Sequence, residues 1–194
     1  TSSAASDVYK RQLDILLTNV RMPEQNWGDL KAQIAAVQIG DRRVKEMIAK
    51  FGADTFRDGI EDLLYYAETQ ARAIIADLPD GEYFFADYMD EDAVDGWPCR
   101  IALNLIIKGD VCTFDFSTSD PQLESSMNIP TGGEERHVMM LVGLVYVLYT
   151  LDPTLFLNSG VTRVCRCILP KGTIVNPEFP AAVGMRTLSS MRLQ

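Results

Sequence analysis

From Arg100 to Ser117 the chain reads RIALNLIIKGDVCTFDFS, and this alternation restricts what it can fold into more than any other stretch. Ile101, Leu103, Leu105 and Ile107 take every second position, the period of a strand with one buried face. Lys108-Gly109-Asp110 supplies a turn, and Cys112, Phe114 and Phe116 then resume the same period. A β-hairpin is expected here. EYFFADY, just upstream, is a further strand-like run. The acidic stretch between them, DYMDEDAVDGWP, lacks the ligand spacing of a calcium loop and reads as a solvated connection.

Before the strands the period is helical. From Asp29 onward, Leu30, Ile34, Val37, Val44, Ile48 and Phe51 form one stripe, with Gly52 placed as a C-cap. Phe56, Ile60, Leu63, Leu64, Ala67, Ala71, Ile74 and Leu78 form a second, ended by Pro79-Asp80-Gly81. Two amphipathic helices joined so tightly predict an antiparallel helical hairpin. The preceding NVRMPEQNWGDL reads as a polar entry loop, because Pro23 and Gly28 disfavour regular structure.

After the hairpin, VMMLVGLVYVLYTL is a 14-residue apolar run. A membrane span needs about 20 residues, so the run predicts a buried helix. Thr131-Gly-Gly-Glu134 matches a capping box for a helix beginning near Arg136, with His137 in its first turn. TRVCRCILPKGTIVNP predicts two short strands around Pro170-Lys171-Gly172. Helices and strands without regular alternation give an α+β class: a helical hairpin, then β-hairpins and a buried helix, part of a larger multi-layer domain.

With a net charge of −9, the 194-residue chain is a poor partner for nucleic acid, and no membrane segment is visible. Four cysteines and a single histidine, without any Cys-x2-Cys pair, argue against structural zinc and for reduced, buried thiols in a cytoplasmic protein. The opening TSSAASDVYKRQ resembles translated adaptor sequence of the kind found at the ends of metagenomic reads, so residues 1–12 are expected to be non-native and residues 13–194 an interior portion of a larger domain.

Several motifs carry a resemblance when taken in order. NVRMPEQNWGDLKAQ, GDRR, LPDGEYFFADYMDED, FDFSTSDPQ, MNIP, LNSG and LPKGTIVNPEFPAAVGMR together resemble the hydantoinase B/oxoprolinase family, from about Leu13 to Gln194. The resemblance implies an ATP-dependent hydrolase of cyclic amides, of N-methylhydantoinase or 5-oxoprolinase type. In such enzymes an A-type subunit or fused domain binds ATP and phosphorylates a lactam or hydantoin. The B-type part then processes the activated intermediate. A fragment alone is expected to be inactive. Other readings are an acetone or acetophenone carboxylase α subunit, or a non-catalytic scaffold for the A-type subunit.

By the same resemblance, Asp115, Ser117, Asp120 and Asn128 are candidate catalytic residues, with Ser119 beside them. Arg163 and Arg186 are candidates for binding substrate carboxylate or phosphate. A divalent metal is expected in the full-length protein, with its ligands outside this chain. Val161 stands where many relatives carry cysteine after the glycine, so no thiol role is expected there.

Overall fold

A computed structural model of the chain describes residues 2–90, 94 and 96–184, with side chains from Tyr9 onward. The chain divides into two compact units, Thr1–Gly59 and Ile60–Gln194, each taken by itself below.

The first unit holds α1 (Ser2–Thr18), α2 (Pro23–Phe51) and the opening turns of α3 (Ala53–Ala76). Where a polar loop was expected before Asp29, α2 already starts at Pro23. Proline suits a first helical position, because its missing N–H has no partner there and its φ is pre-set. Asn26 Nδ2 donates to the Met22 carbonyl at 2.9 Å and steadies that turn. α2 runs through Gly28 and Gly40 without a break. Gly52 ends α2 as expected, with φ 85° and its N–H bonded to the Ile48 carbonyl. No residue of α2 is buried: of the stripe, Leu30 and Ile48 are half-buried and Ile34, Val37, Val44 and Phe51 are exposed.

In the second unit, β1 (Gly81–Met89), β2 (Cys99–Lys108), β3 (Val111–Asp115) and β4 (Cys165–Ile168) make one sheet in that order. The predicted hairpin is β2–β3, antiparallel, with Leu105 opposite Phe114 and Ile107 opposite Cys112. Gly109, at φ 63°, makes the turn, and its N–H donates to Asp80 Oδ1 at 2.8 Å. Arg72, from α3, reaches Asp110 at 3.1 Å and Glu68 at 2.8 Å, which ties the turn to that helix. The apolar face of the sheet packs with Ala67, Ala71 and Ile75 of α3 and with α4 (Val138–Leu151) in one core. The α+β class therefore holds.

Two details depart from expectation. Only one side of α4 is buried, through Met140, Leu141, Leu144 and Leu148, while Tyr146 and Val147 are more than half exposed. A run apolar on every side offers no sequence cue to which face the chain itself covers. The second C-terminal strand is not formed. Thr162 and Val164 belong to a 3-10 helix (Ser159–Val164), and β4 pairs in parallel with β3. Past Pro170, which has no N–H to donate, Gly172 N bonds Asn176 O at 2.9 Å and Asn176 N bonds Thr173 O at 3.0 Å, closing a tight turn.

Candidate functional site

The candidate residues cluster where β3 ends. Asp115, the last residue of β3, accepts the Ser117 N–H on Oδ1 at 2.8 Å, which bends the chain out of the sheet. Beyond the Asn104–Asp115 pair, β2 has lost its neighbour on that side. Ser119 and Asp120 take over. Ser119 Oγ accepts from Ala102 N–H and donates to Ala102 carbonyl, both at 3.0 Å. Asp120 Oδ2 accepts the Arg100 N–H at 2.8 Å, and the Asp120 N–H donates to the Arg100 carbonyl at 3.0 Å. Two residues thus continue the ladder that β3 abandons. The Arg100 side chain closes the corner, donating to Thr118 O at 2.6 Å, with Nε 3.7 Å from Asp120 Oδ1.

Asn128 is wholly buried and fully engaged. Its Oδ1 accepts from Leu123 N at 2.8 Å, and its Nδ2 donates to Leu123 O at 2.8 Å, Ser125 O at 3.1 Å and Ala182 O at 3.0 Å. It joins the loop after β3 to the segment after β4. The same two stretches meet where Ile174 N bonds Asp120 O at 3.0 Å and Ile129 N bonds Ile174 O at 2.8 Å. Thr131 is not the cap that the Thr-x-x-Glu pattern predicts. Its hydroxyl donates to Val175 O at 2.6 Å and accepts Gly133 N–H at 3.2 Å, while α4 starts later, with His137 as N-cap and no side-chain capping bond. The hydroxyl thus accepts the Gly133 N–H rather than the Glu134 N–H, which goes to the Thr131 carbonyl at 3.2 Å. His137 Nδ1 and Ser125 Oγ are buried atoms without a hydrogen-bond partner.

Asp115, Ser117, Ser119 and Asp120 are thus contiguous, and Asn128 joins them through the backbone network. Arg163 lies apart, in the 3-10 helix, with Glu61 at 3.2 Å and Glu68 at 3.8 Å on α3. Arg186 lies outside the described residues. The LNSG motif has a structural reading that spacing alone does not give. Asn158 Oδ1 accepts Gly160 N–H at 2.7 Å and its Nδ2 donates to Leu63 O at 3.0 Å. A Cβ on Gly160 would collide with the Leu64 carbonyl. The motif seats this turn directly on α3.

An apolar groove of about 270 Å³ opens between α4, the end of α3 and the sheet face carrying Ile101, Leu103 and Phe114. No charged side chain lines it. Among the described residues, no three histidines, cysteines or acids are placed to hold a metal ion. Among these residues, Asp120 Oδ2 and the Asn128 amide are already engaged with backbone.

The family model for hydantoinase B/oxoprolinase matches residues 4–194. The chain belongs to this family. A hydantoinase B relative from Pseudomonas sp. (strain NS671), named as the B component of a D-/L-hydantoinase, is 37% identical over 177 residues, covering 87% of this chain and 29% of the relative. The beta chain of the Pseudomonas jessenii caprolactamase is 29% identical, covering 87% of this chain and 28% of that one. A crystal structure of ATP-dependent caprolactamase from Pseudomonas jessenii superposes with a TM-score of 0.79 at 28% identity, over 95% of this chain and 31% of that one. Acetone carboxylase shares the fold at 18% identity and a TM-score of 0.67. The chain spans less than a third of the length of each relative.

Proposed function

We propose that residues 13–194 are an interior portion of a B-type subunit that hydrolyses cyclic amides together with an ATP-using A-type partner, subunit or fused domain, in the cytoplasm. The likeness to an ATP-dependent caprolactamase along 95% of the chain carries this reading. Its chemical logic is simple. A lactam carbonyl resists water, and phosphorylation of its oxygen on the partner makes the carbon electrophilic. The B-type part must then shield that intermediate while admitting one water. ATP belongs to the partner in this scheme, and a divalent metal to regions of the full-length B-type protein outside this chain.

The portion seen here supplies the frame. The loop after β3 is held in one path by Ser119, Asp120 and Asn128, and Asp115 and Ser117 stand at its start. In this reading Asp115 and Ser117 face the intermediate, Asp120 and Asn128 fix the loop that presents them, and Arg163 and Arg186 are the anion-binding candidates. The engagement of Ser119, Asp120 and Asn128 with backbone favours a second reading for this portion, as a scaffold for the A-type subunit.

The test is the full-length protein with its A-type partner, assayed for ADP release with caprolactam, hydantoins and 5-oxoproline. Cyclic-amide-dependent ADP release is expected. Release that instead needs a ketone and bicarbonate would move the assignment to the carboxylases. In the same assay Asp115→Ala should abolish turnover with assembly intact. Loss of assembly alone would make this portion a scaffold.

A further inference from the structure

Cys112, Cys165 and Cys167 take no part in the function proposed above. Cys112 and Cys165 are direct partners across the parallel β3–β4 pair, and Phe114 is the partner of Cys167. Registered side chains on neighbouring strands leave the sheet on the same face, about 4.8 Å apart at the backbone. That spacing lies inside the Cα range of about 4.4–6.8 Å that a disulfide tolerates. The Cys112 thiol donates to the Val164 carbonyl at 3.9 Å, which places it beside the residue that precedes Cys165. Cys112, Cys165 and Cys167 are present as free thiols.

Burial ordinarily makes a thiol inert. Cys112 differs because it lines the apolar groove, beside Ile107, Phe114 and Met140. A small neutral oxidant can approach it there without dragging charge into the core. We propose that Cys112 and Cys165 form an oxidation site, which closes to a disulfide between β3 and β4 when hydrogen peroxide enters the groove. The Cys112 sulfur attacks one peroxide oxygen, the O–O bond breaks, and a sulfenic acid and one water result. The Cys165 sulfur then attacks the sulfenic sulfur, the S–O bond breaks, and a second water leaves. Two thiols and one peroxide give one disulfide and two waters. The order of roles follows from access: Cys112 lines the groove and Cys165 does not. The neighbouring Cys165 also lowers the Cys112 thiol below its usual range, while Cys165 itself is pushed up.

The experiment is peptide mapping of the native 194-residue chain after peroxide treatment, with remaining thiols blocked by N-ethylmaleimide before digestion. Arg166 lies between Cys165 and Cys167, so trypsin places them on separate peptides. The expected product is a reducible cross-link between the Cys112 and Cys165 peptides, with Cys99 and Cys167 alkylated. In Cys165→Ser, Cys112 should stop at the sulfenic acid and be trapped by dimedone. Full alkylation of Cys112 and Cys165 would overturn the proposal. So would a Cys165–Cys167 product, or the same mixture of pairings that the chain gives when oxidised in urea. The wild-type map does not depend on any variant folding.

Discussion

Asn128 makes four side-chain hydrogen bonds, all to backbone, while wholly buried. Replacing its amide by a carboxyl keeps the shape and removes the donor that three carbonyls share. Unsatisfied buried groups cost about 1–3 kcal/mol each, so Asn128→Asp should destabilise the chain by about 3 kcal/mol, read as a lower urea midpoint at unchanged slope. A wild-type midpoint would mean that the loop does not depend on this residue. Asp152, after α4, gives a weaker and pH-dependent case. Its carboxylate accepts from the Thr154 hydroxyl at 2.6 Å and from the Thr154 N–H at 2.8 Å, which lowers its pKa. The folded state therefore favours the ionised form. That contribution is complete above the unfolded pKa and disappears as pH falls through the lower folded one. Asp152→Asn should flatten the acid side of a Tm-against-pH curve, slightly, because the group is exposed. At this scale the sequence shows which polar residues end the strand. It does not show that Ser119 and Asn128 bond to Ala102 and Ala182, since a backbone acceptor leaves no mark in residue type.

Among the elements, the hairpin was legible because two-residue alternation has one common outcome, whereas α4 was legible as a helix but not in its facing. The 3-10 helix is the case where a single atom decides. Gly160 sits so close to the Leu64 carbonyl that Gly160→Ala must shift the helix or α3. Overpacking costs about 1–3 kcal/mol, and the effect should appear as lost thermal stability together with faster exchange of amides near Leu63 and Leu64. A neutral outcome in both measurements would show that the turn can lift without consequence. The missing second C-terminal strand has a similar lesson. Alternation in residues 173–176 matched a strand, but the turn takes the Asn176 N–H and the loop after β3 takes the Ile174 N–H, through Asp120.

For the chain as a whole, burial is uneven. α2 has no buried residue, while Ala67, Ala71, Ala102, Leu141 and Leu148 are fully covered. Hydrogen exchange should therefore protect β2, β3 and α4 strongly and α2 weakly. Uniform protection would contradict this division. Val37, at 72% exposed, and Val44 lie on the open stripe of α2, so Val37→Lys with Val44→Glu should reduce concentration-dependent association in light scattering without lowering stability. Family membership and fold class were legible in the motifs, whereas the roles of individual residues were not, because the relatives are about three times as long as this chain.

The ladder continued by Ser119 and Asp120 has a consequence for the way the chain acquires its shape. Ile101, Leu103, Leu105 and Ile107 repeat every second position, so sliding the hairpin by two residues would keep each apolar side chain on the correct face. Hydrophobicity cannot detect that error. Ser119 and Asp120 can in one direction, because they meet the N–H groups of Ala102 and Arg100 in the native alignment, whereas a slip toward the start of β2 would set Asp120 against Pro98, which has none. During synthesis both strands leave the ribosome before either residue does. A misaligned hairpin thus meets its proofreader a few residues later, from the same chain.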